Sequence, residues 1–251
     1  MISSDASIFP RIVDVGLSGM LVTFSDVLSQ DANRAALALR ARLEDMQIVG
    51  VLETTTSLTS TFVVYDPKAL TQDLLRRLLT ELLETEVWNN APLPEGRRLC
   101  RIPAVFDHPE YGPQLQEAAD LAGITVKTAV ESLCDTSLRV MTLGFAPGQP
   151  YLGALAPHWD IPRQTGLTKQ VPVGAITVAI RQIVLFSTAS PTGWRQVGQC
   201  VFRAFRPELA DPFALRPGDE VSFYPVSAED LARFKAKDET GDGGATWETI
   251  S

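Results

Sequence analysis

Little in this sequence is suited to metal, disulfide or nucleic-acid chemistry. Three cysteines, Cys100, Cys134 and Cys200, and two histidines, His108 and His158, are spread over 251 residues. The cysteines have no CxxC or Cys/His ligand spacing, so neither a disulfide framework nor a zinc site is expected, and buried inert thiols in a reducing compartment are. Basic residues are outnumbered, 22 against 30 acidic ones, for a net charge of −8. Phosphate-backbone binding depends on clustered cations, so no nucleic-acid partner is expected. No apolar run approaches the ~18 residues of a membrane-spanning helix. The opening Met1-Ile2-Ser3-Ser4-Asp5 lacks a basic and then apolar leader, so a cytoplasmic protein without a membrane partner is expected. GxxxxGK[ST], HExxH and GxSxG are all missing, which removes the Walker phosphate cradle, the zincin pair and the nucleophile elbow.

What the chain does have is punctuation. Four clusters follow in order: Leu143-Gly144-Phe145-Ala146-Pro147-Gly148-Gln149-Pro150-Tyr151-Leu152-Gly153, Ile161-Pro162-Arg163, Val171-Pro172-Val173-Gly174 and Ser190-Pro191-Thr192-Gly193-Trp194. Proline fixes φ and removes a donor while glycine admits positive φ, so each cluster marks a turn between short extended segments. Such turns are either structural or bring backbone close to a ligand or partner, and Pro147, Gly148 and Tyr151 are candidates for the second role. Tyr151 would supply an aromatic face and a hydroxyl. Arg163 and Lys169 are cations able to meet a carboxylate or phosphate, or else solvated surface residues. Trp194 either stacks a ligand or anchors packing. Asp107, His108 and Glu110 would serve acid/base chemistry only if a cleft gathered them, and an exposed loop is the plainer expectation.

Apolar β-branched runs from Arg11 to Phe24, broken by Gly16 and Gly19, predict paired strands. Ala35, Leu39 and Leu43 recur at helical spacing after a cap at Ser25 or Asp31. Strands are predicted at Ile48 to Leu52 and Thr61 to Tyr65. A helix follows over Thr71 to Val87, capped by Thr71, with a stripe of leucines at 74, 75, 78, 79, 82 and 83. This order suits an α+β domain over residues 1–90, the split arrangement of a ferredoxin-like sandwich. Asn89 to Gly96 reads as the linker. A second domain over 97–226 opens with a strand from Leu99 to Phe106 and helices over Gln114 to Ala122 and Val126 to Ser132. Its later strands, Leu138 to Leu143, Ile176 to Ile180, Ile183 to Phe186, Val201 to Phe205 and Glu220 to Tyr224, argue for a closed or sandwiched β architecture. Residues 227–251 read as a short helix, Ala228 to Lys237, followed by a mobile tail.

The clusters, in register with Tyr65-Asp66-Pro67, Gly112-Pro113 and Pro217-Gly218-Asp219, resemble the family of the 5-oxoprolinase B-subunit, also described as allophanate hydrolase subunit 1 or the carboxyltransferase C/D region, which includes the Kip sensor-kinase inhibitor. The resemblance runs from about Arg11 to Val226. It implies a cyclophilin-like β-barrel in the second domain and a role as the smaller subunit of an ATP-dependent 5-oxoprolinase, a lactam hydrolase inactive without its partners. Those partners would be a larger paralogous subunit, similar to allophanate hydrolase subunit 2, and a lactam-utilisation protein, with ATP and Mg as cofactors. A sensor histidine kinase inhibitor and an allophanate hydrolase or urea carboxylase component are the alternatives the same resemblance allows. Gln182, Ser190 and Trp194 match the family pattern. Gln149 stands where the family commonly has an aromatic, Thr168 and Gln170 where it has cations, and Thr177, Ile180 and Val184 where it has glycines. Catalytic residues are not assigned by the sequence, and no metal ligand set is visible.

Overall fold

A computed structural model describes residues 9–250, and the chain divides into two compact units, Met1–Glu95 and Gly96–Ser251. The first unit is built from β1 (Arg11–Val15), β2 (Gly19–Thr23), α1 (Gln30–Met46), β3 (Val51–Ser57), β4 (Ser60–Tyr65) and α2 (Gln72–Leu83). Its sheet has the order β1-β2-β4-β3, antiparallel throughout. Ser29, rather than Ser25 or Asp31, caps α1 by accepting from the Ala32 amide at 3.1 Å, and Thr71 caps α2 as its sequence predicts. Both helices bury one stripe on the sheet: Ala35, Leu39 and Leu43 from α1, and Leu75, Leu79 and Leu82 from α2, against Met20, Val22, Val63 and Tyr65. Thr61 donates to the Ala36 carbonyl at 2.8 Å, tying β4 to α1 inside that core.

The chain order departs from the ferredoxin-like expectation. A split βαβ unit ends on a strand after its second helix, whereas here the edge strand is β1, which precedes β2 in a hairpin. The expected strand at Ile48 to Leu52 is displaced to Val51–Ser57, so the Ser/Thr-rich stretch between the two expected strands is itself strand. Threonine is β-branched and tolerates the exposed face of an edge strand, which apolar periodicity does not register.

The second unit holds β5 (Arg97–Ala104), α3 (Leu115–Ala122), α4 (Val126–Cys134), β6 (Leu138–Leu143), β7 (Pro150–Gly153), β8 (Thr168–Val171), β9 (Ala175–Ala179), β10 (Gln182–Leu185), β11 (Ser190–Thr192), β12 (Arg195–Gln199), β13 (Glu220–Pro225), α5 (Ala228–Lys237) and β14 (Thr246–Ile250). Eight strands form one sheet in the order β12-β9-β10-β7-β6-β13-β5-β14, and β8 pairs with β11 as a separate ribbon. All neighbours are antiparallel except β13 and β5.

Side chains alternate across β9 and β10. Ile176, Val178, Ile183 and Leu185 enter the main core with Ala118, Ala119, Ala129 and Leu133 of α3 and α4. Ala175, Ala179, Val184 and Phe186 point to a second, smaller core with Val171 and Trp194.

The eight-stranded sheet is not a closed barrel. Beyond β5, Val105 and Gln199 exchange two hydrogen bonds of 2.9 Å, so the sheet curls until its β12 edge meets the end of β5 at one residue pair. Two further expectations are corrected. Val201 to Phe205 is irregular: Phe202 and Ala204 are buried, but Arg203 N–H donates to the Gly241 carbonyl instead of to a ladder. The segment after 226 is not a loose tail. It contains α5, with the predicted bounds, and β14, which pairs with β5 from Thr246↔Arg101 to Ile250↔Arg97. No helix among the described residues is long and apolar enough to cross a membrane.

Candidate functional site

The ribbon β8–β11 brings three of the four clusters together. Ser190 pairs with Val171, which joins the fourth cluster to the third, and the Gln164 N–H donates to the Gly193 carbonyl at 2.7 Å, which joins the fourth to the segment after Pro162-Arg163. Trp194, 6% exposed, meets Tyr151 of the first cluster edge to face, with centroids 6.0 Å apart, and the Arg163 guanidinium lies 6.0 Å above its ring. Trp194 anchors the smaller core and carries an exposed cation of the chain itself, Arg163, on its face. Gly174 is demanded by the same packing. Its φ is +80, and a Cβ there would lie 2.2 Å from the Cys200 carbonyl oxygen.

The other candidates lie outside this cluster. Pro147 is exposed at the β6–β7 turn. Gly148, at φ +66, packs its backbone against Ala204 and Phe205, a structural role. Phe145, also in the left-handed region at φ +69, is 76% exposed there. Gln149 is 1% exposed and Gln182 3% exposed, and the Oε1 of the first and Nε2 of the second have no hydrogen-bond partner among the described residues. Gln182 packs beside Gly153, opposite it on the β7–β10 ladder. Ser190 is buried and donates to the Thr188 carbonyl at 3.3 Å, a turn contact. Lys169 is exposed on β8.

Sequence reasoning missed the residues beside Arg163. Arg195, 6% exposed, directs Nε to Glu117 Oε1 at 2.8 Å and Nη1 to the Pro162 carbonyl at 2.6 Å. Gln164 is fixed on every side: its Oε1 accepts from Gln114 Nε2 at 2.7 Å, and its Nε2 donates to the Trp194 carbonyl at 2.9 Å and to Thr168 Oγ1 at 3.3 Å. Arg195, Glu117, Gln164, Thr165, Gly166 and Thr168 line a polar cavity of about 290 Å³. The available signal was a charged residue directly after Trp194, inside a short strand where apolar residues are the rule.

A larger cavity of about 720 Å³ opens between α5 and the turn after Phe106, with Glu110, Tyr111, Val173, Val201, Leu231 and Lys235 among its lining. His108 stacks on Tyr111 at 4.7 Å, and its Nδ1 accepts from the Glu110 amide at 3.2 Å, so this loop does reach a cleft. His158 sits near Ser132 Oγ at 3.3 Å. The cysteines are free and match the expectation of inert thiols: burial pushes Cys134 and Cys200 up to about 12 and Cys100 higher still.

The sequence signature of the family described as "Carboxyltransferase domain, subdomain C and D" matches residues 10–215, and the chain belongs to that family. It is 28% identical over 232 residues to the 5-oxoprolinase B-subunit of Bacillus subtilis, covering 90% of this chain and 96% of that one. To the 5-oxoprolinase B-subunit of Escherichia coli O157:H7 it is 30% identical, covering 84% and 94%. The crystal structure of TTHA0988 superposes with a TM-score of 0.69 at 31% identity, over 84% of this chain. This chain spans only 40% of the length of TTHA0988.

Proposed function

We propose that this chain is the smaller subunit of an ATP-dependent 5-oxoprolinase, which opens the 5-oxoproline lactam to L-glutamate. The observation that carries the reading is the near end-to-end match to relatives named as the B-subunit of 5-oxoprolinase, which covers 96% and 94% of their lengths. The clustering of Tyr151, Arg163 and Trp194 supports it, because the resemblance marks those segments. In this reading the second unit is a cyclophilin-like barrel left incompletely closed, the first is a rearranged ferredoxin-like sandwich, and the protein works in the cytoplasm.

Opening a lactam at the expense of ATP requires activation of the lactam oxygen and exclusion of water from the activated species. Among the described residues no group of three or more His, Cys, Asp or Glu side chains is placed to hold a metal ion. Mg–ATP needs only one or two carboxylates beside its own phosphates, and the reading places nucleotide binding in the assembled complex with the larger, allophanate hydrolase subunit 2-like partner and a lactam-utilisation protein. The test is glutamate release from 5-oxoproline by the chain co-expressed with its genomic neighbours. Release that needs both ATP and this chain is expected. An intact complex that releases none would overturn the reading and favour a kinase regulator or a urea-derived substrate.

A further inference from the structure

We propose that the cavity between α3, the Gln164–Thr168 segment and β12 is a binding site for a small α-amido or α-amino carboxylate, anchored by the Arg195–Glu117 pair. Arg195 is a buried cation with two of its three nitrogens committed, Nε to Glu117 and Nη1 to the Pro162 carbonyl, and Nη2 carries no hydrogen bond among the described residues. A guanidinium N–H donor left open in this way can meet a carboxylate oxygen in a charge-assisted hydrogen bond.

Glu117 supplies the complementary half. Its Oε1 accepts from Arg195, its side chain is 51% exposed, and it lines the same cavity, so Oε2 is open to an N–H donor. A donor edge beside an acceptor oxygen fits a ligand that carries a carboxylate next to an N–H, and fits a simple inorganic anion less well because Glu117 repels it. Arg163 and Lys169, at the two ends of the same segment, add positive charge locally to a chain whose net charge is −8.

The wall is built before any ligand arrives. Gln164 has all its amide groups engaged by Gln114, Thr168 and Trp194, which leaves Thr165 and Gly166 as the adaptable lining. The volume of about 290 Å³ suits a molecule of amino-acid size. This inference rests on the proposed function for its choice of 5-oxoproline as a probe; the Arg–Glu pair supplies the donor and acceptor that a carboxylate next to an N–H would meet.

Binding of 5-oxoproline, N-acetylglycine and 2-pyrrolidinone to the full chain is measured by calorimetry, for the wild type and for Thr165→Asp, which sets a carboxylate at an exposed lining position and leaves the buried pair intact. Expected are binding of the two carboxylates, at least tenfold weaker binding in T165D with an unchanged melting temperature, and no binding of 2-pyrrolidinone, which lacks the carboxylate. An Arg195→Lys variant that folds should lose binding by a similar factor. Equal binding by T165D, equal binding of 2-pyrrolidinone, or no carboxylate binding up to millimolar concentrations each overturns the site. The last result, alongside an active co-expressed complex, would leave the proposed function standing. Carboxylate binding by a chain whose complex releases no glutamate would do the reverse.

Discussion

Arg206 Nη2 lies 2.9 Å from Asp242 Oδ1, and this pair fastens the irregular stretch after β12 to the turn that leads into β14. Arg206 is 7% exposed, reaches the Gly241 carbonyl at 3.0 Å and the Arg203 carbonyl at 2.8 Å, and stacks on Phe202 at 5.1 Å. Partial burial pushes the Asp242 carboxyl upward, but hydrogen bonds from Thr240 and Arg206 and the guanidinium charge outweigh it and hold the group below its ordinary value.

A group with a depressed folded pKa stabilises the fold above its unfolded value and loses that contribution as pH falls through the folded one. Asp242→Asn should therefore cost about 1–2 kcal/mol at neutral pH, a charge-assisted bond discounted for partial exposure. The deficit relative to wild type should shrink once pH drops below the ordinary carboxylate value of about 3.9. Urea midpoints of both proteins at pH 7 and pH 3 check this, and a deficit of the same size at both would show that the ion pair is not its source.

Trp194 and Arg163 should separate packing from surface chemistry. Trp194→Ala empties the smaller core where Tyr151, Phe186 and Val171 meet it, a loss of about 3–5 kcal/mol. Arg163→Ala removes an exposed cation over the ring and should cost less than about 1 kcal/mol. Thermal melts read the two, and comparable losses would mean that Arg163 is structural.

The helices were legible in the sequence because their periodicity and caps are local: Thr71 and Thr125 accept from Leu74 and Thr128 amides as their positions imply. Strands were legible where the residues are mostly apolar and both faces are buried, as at Leu138–Leu143 and Ala175–Ala179. β14 was not, because Thr246, Glu248 and the exposed Trp247 have no apolar alternation, and only pairing with β5 makes the segment a strand. The candidate site was half legible. Turn chemistry pointed to Tyr151, Arg163 and Trp194, whereas Arg195 and Glu117 are 78 residues apart and meet only through the packing of α3 on β12.

Gln149 should tolerate methionine better than its burial suggests. Its Oε1 is enclosed without a partner among the described residues, and an unsatisfied buried acceptor costs about 1–3 kcal/mol. Methionine keeps nearly the same length and volume without that penalty. Q149M should raise stability by about 1 kcal/mol in a urea titration. A loss of stability would mean that the amide is satisfied in solution, by water or by a rearranged neighbour.

The C-terminal strand offers the sharpest test of the corrected architecture. β14 covers the outer edge of β5 from Arg97 to Arg101, Trp247 packs under the Arg98 guanidinium at 4.5 Å, and its ring lies 6.1 Å from that of Phe202. A chain ending at Ala245 would leave β5 as an open edge with its amides and carbonyls unpaired, the template on which strands of other molecules add. It would also uncover Phe202 and release Arg98 from its aromatic cover. Arg98 would still be held by Asp219, which is 3% exposed and accepts from both the Arg98 amide at 3.0 Å and its Nη2 at 2.5 Å, so the inner strands should stay folded. The expected result is a folded but self-associating protein: higher-order species by size-exclusion chromatography and near-native far-ultraviolet dichroism. Trp247→Ala, which keeps the ladder, should stay monodisperse and lose about 1–2 kcal/mol. A truncated chain that elutes like the full-length protein with an unchanged melting temperature would show that β14 is dispensable to the sheet.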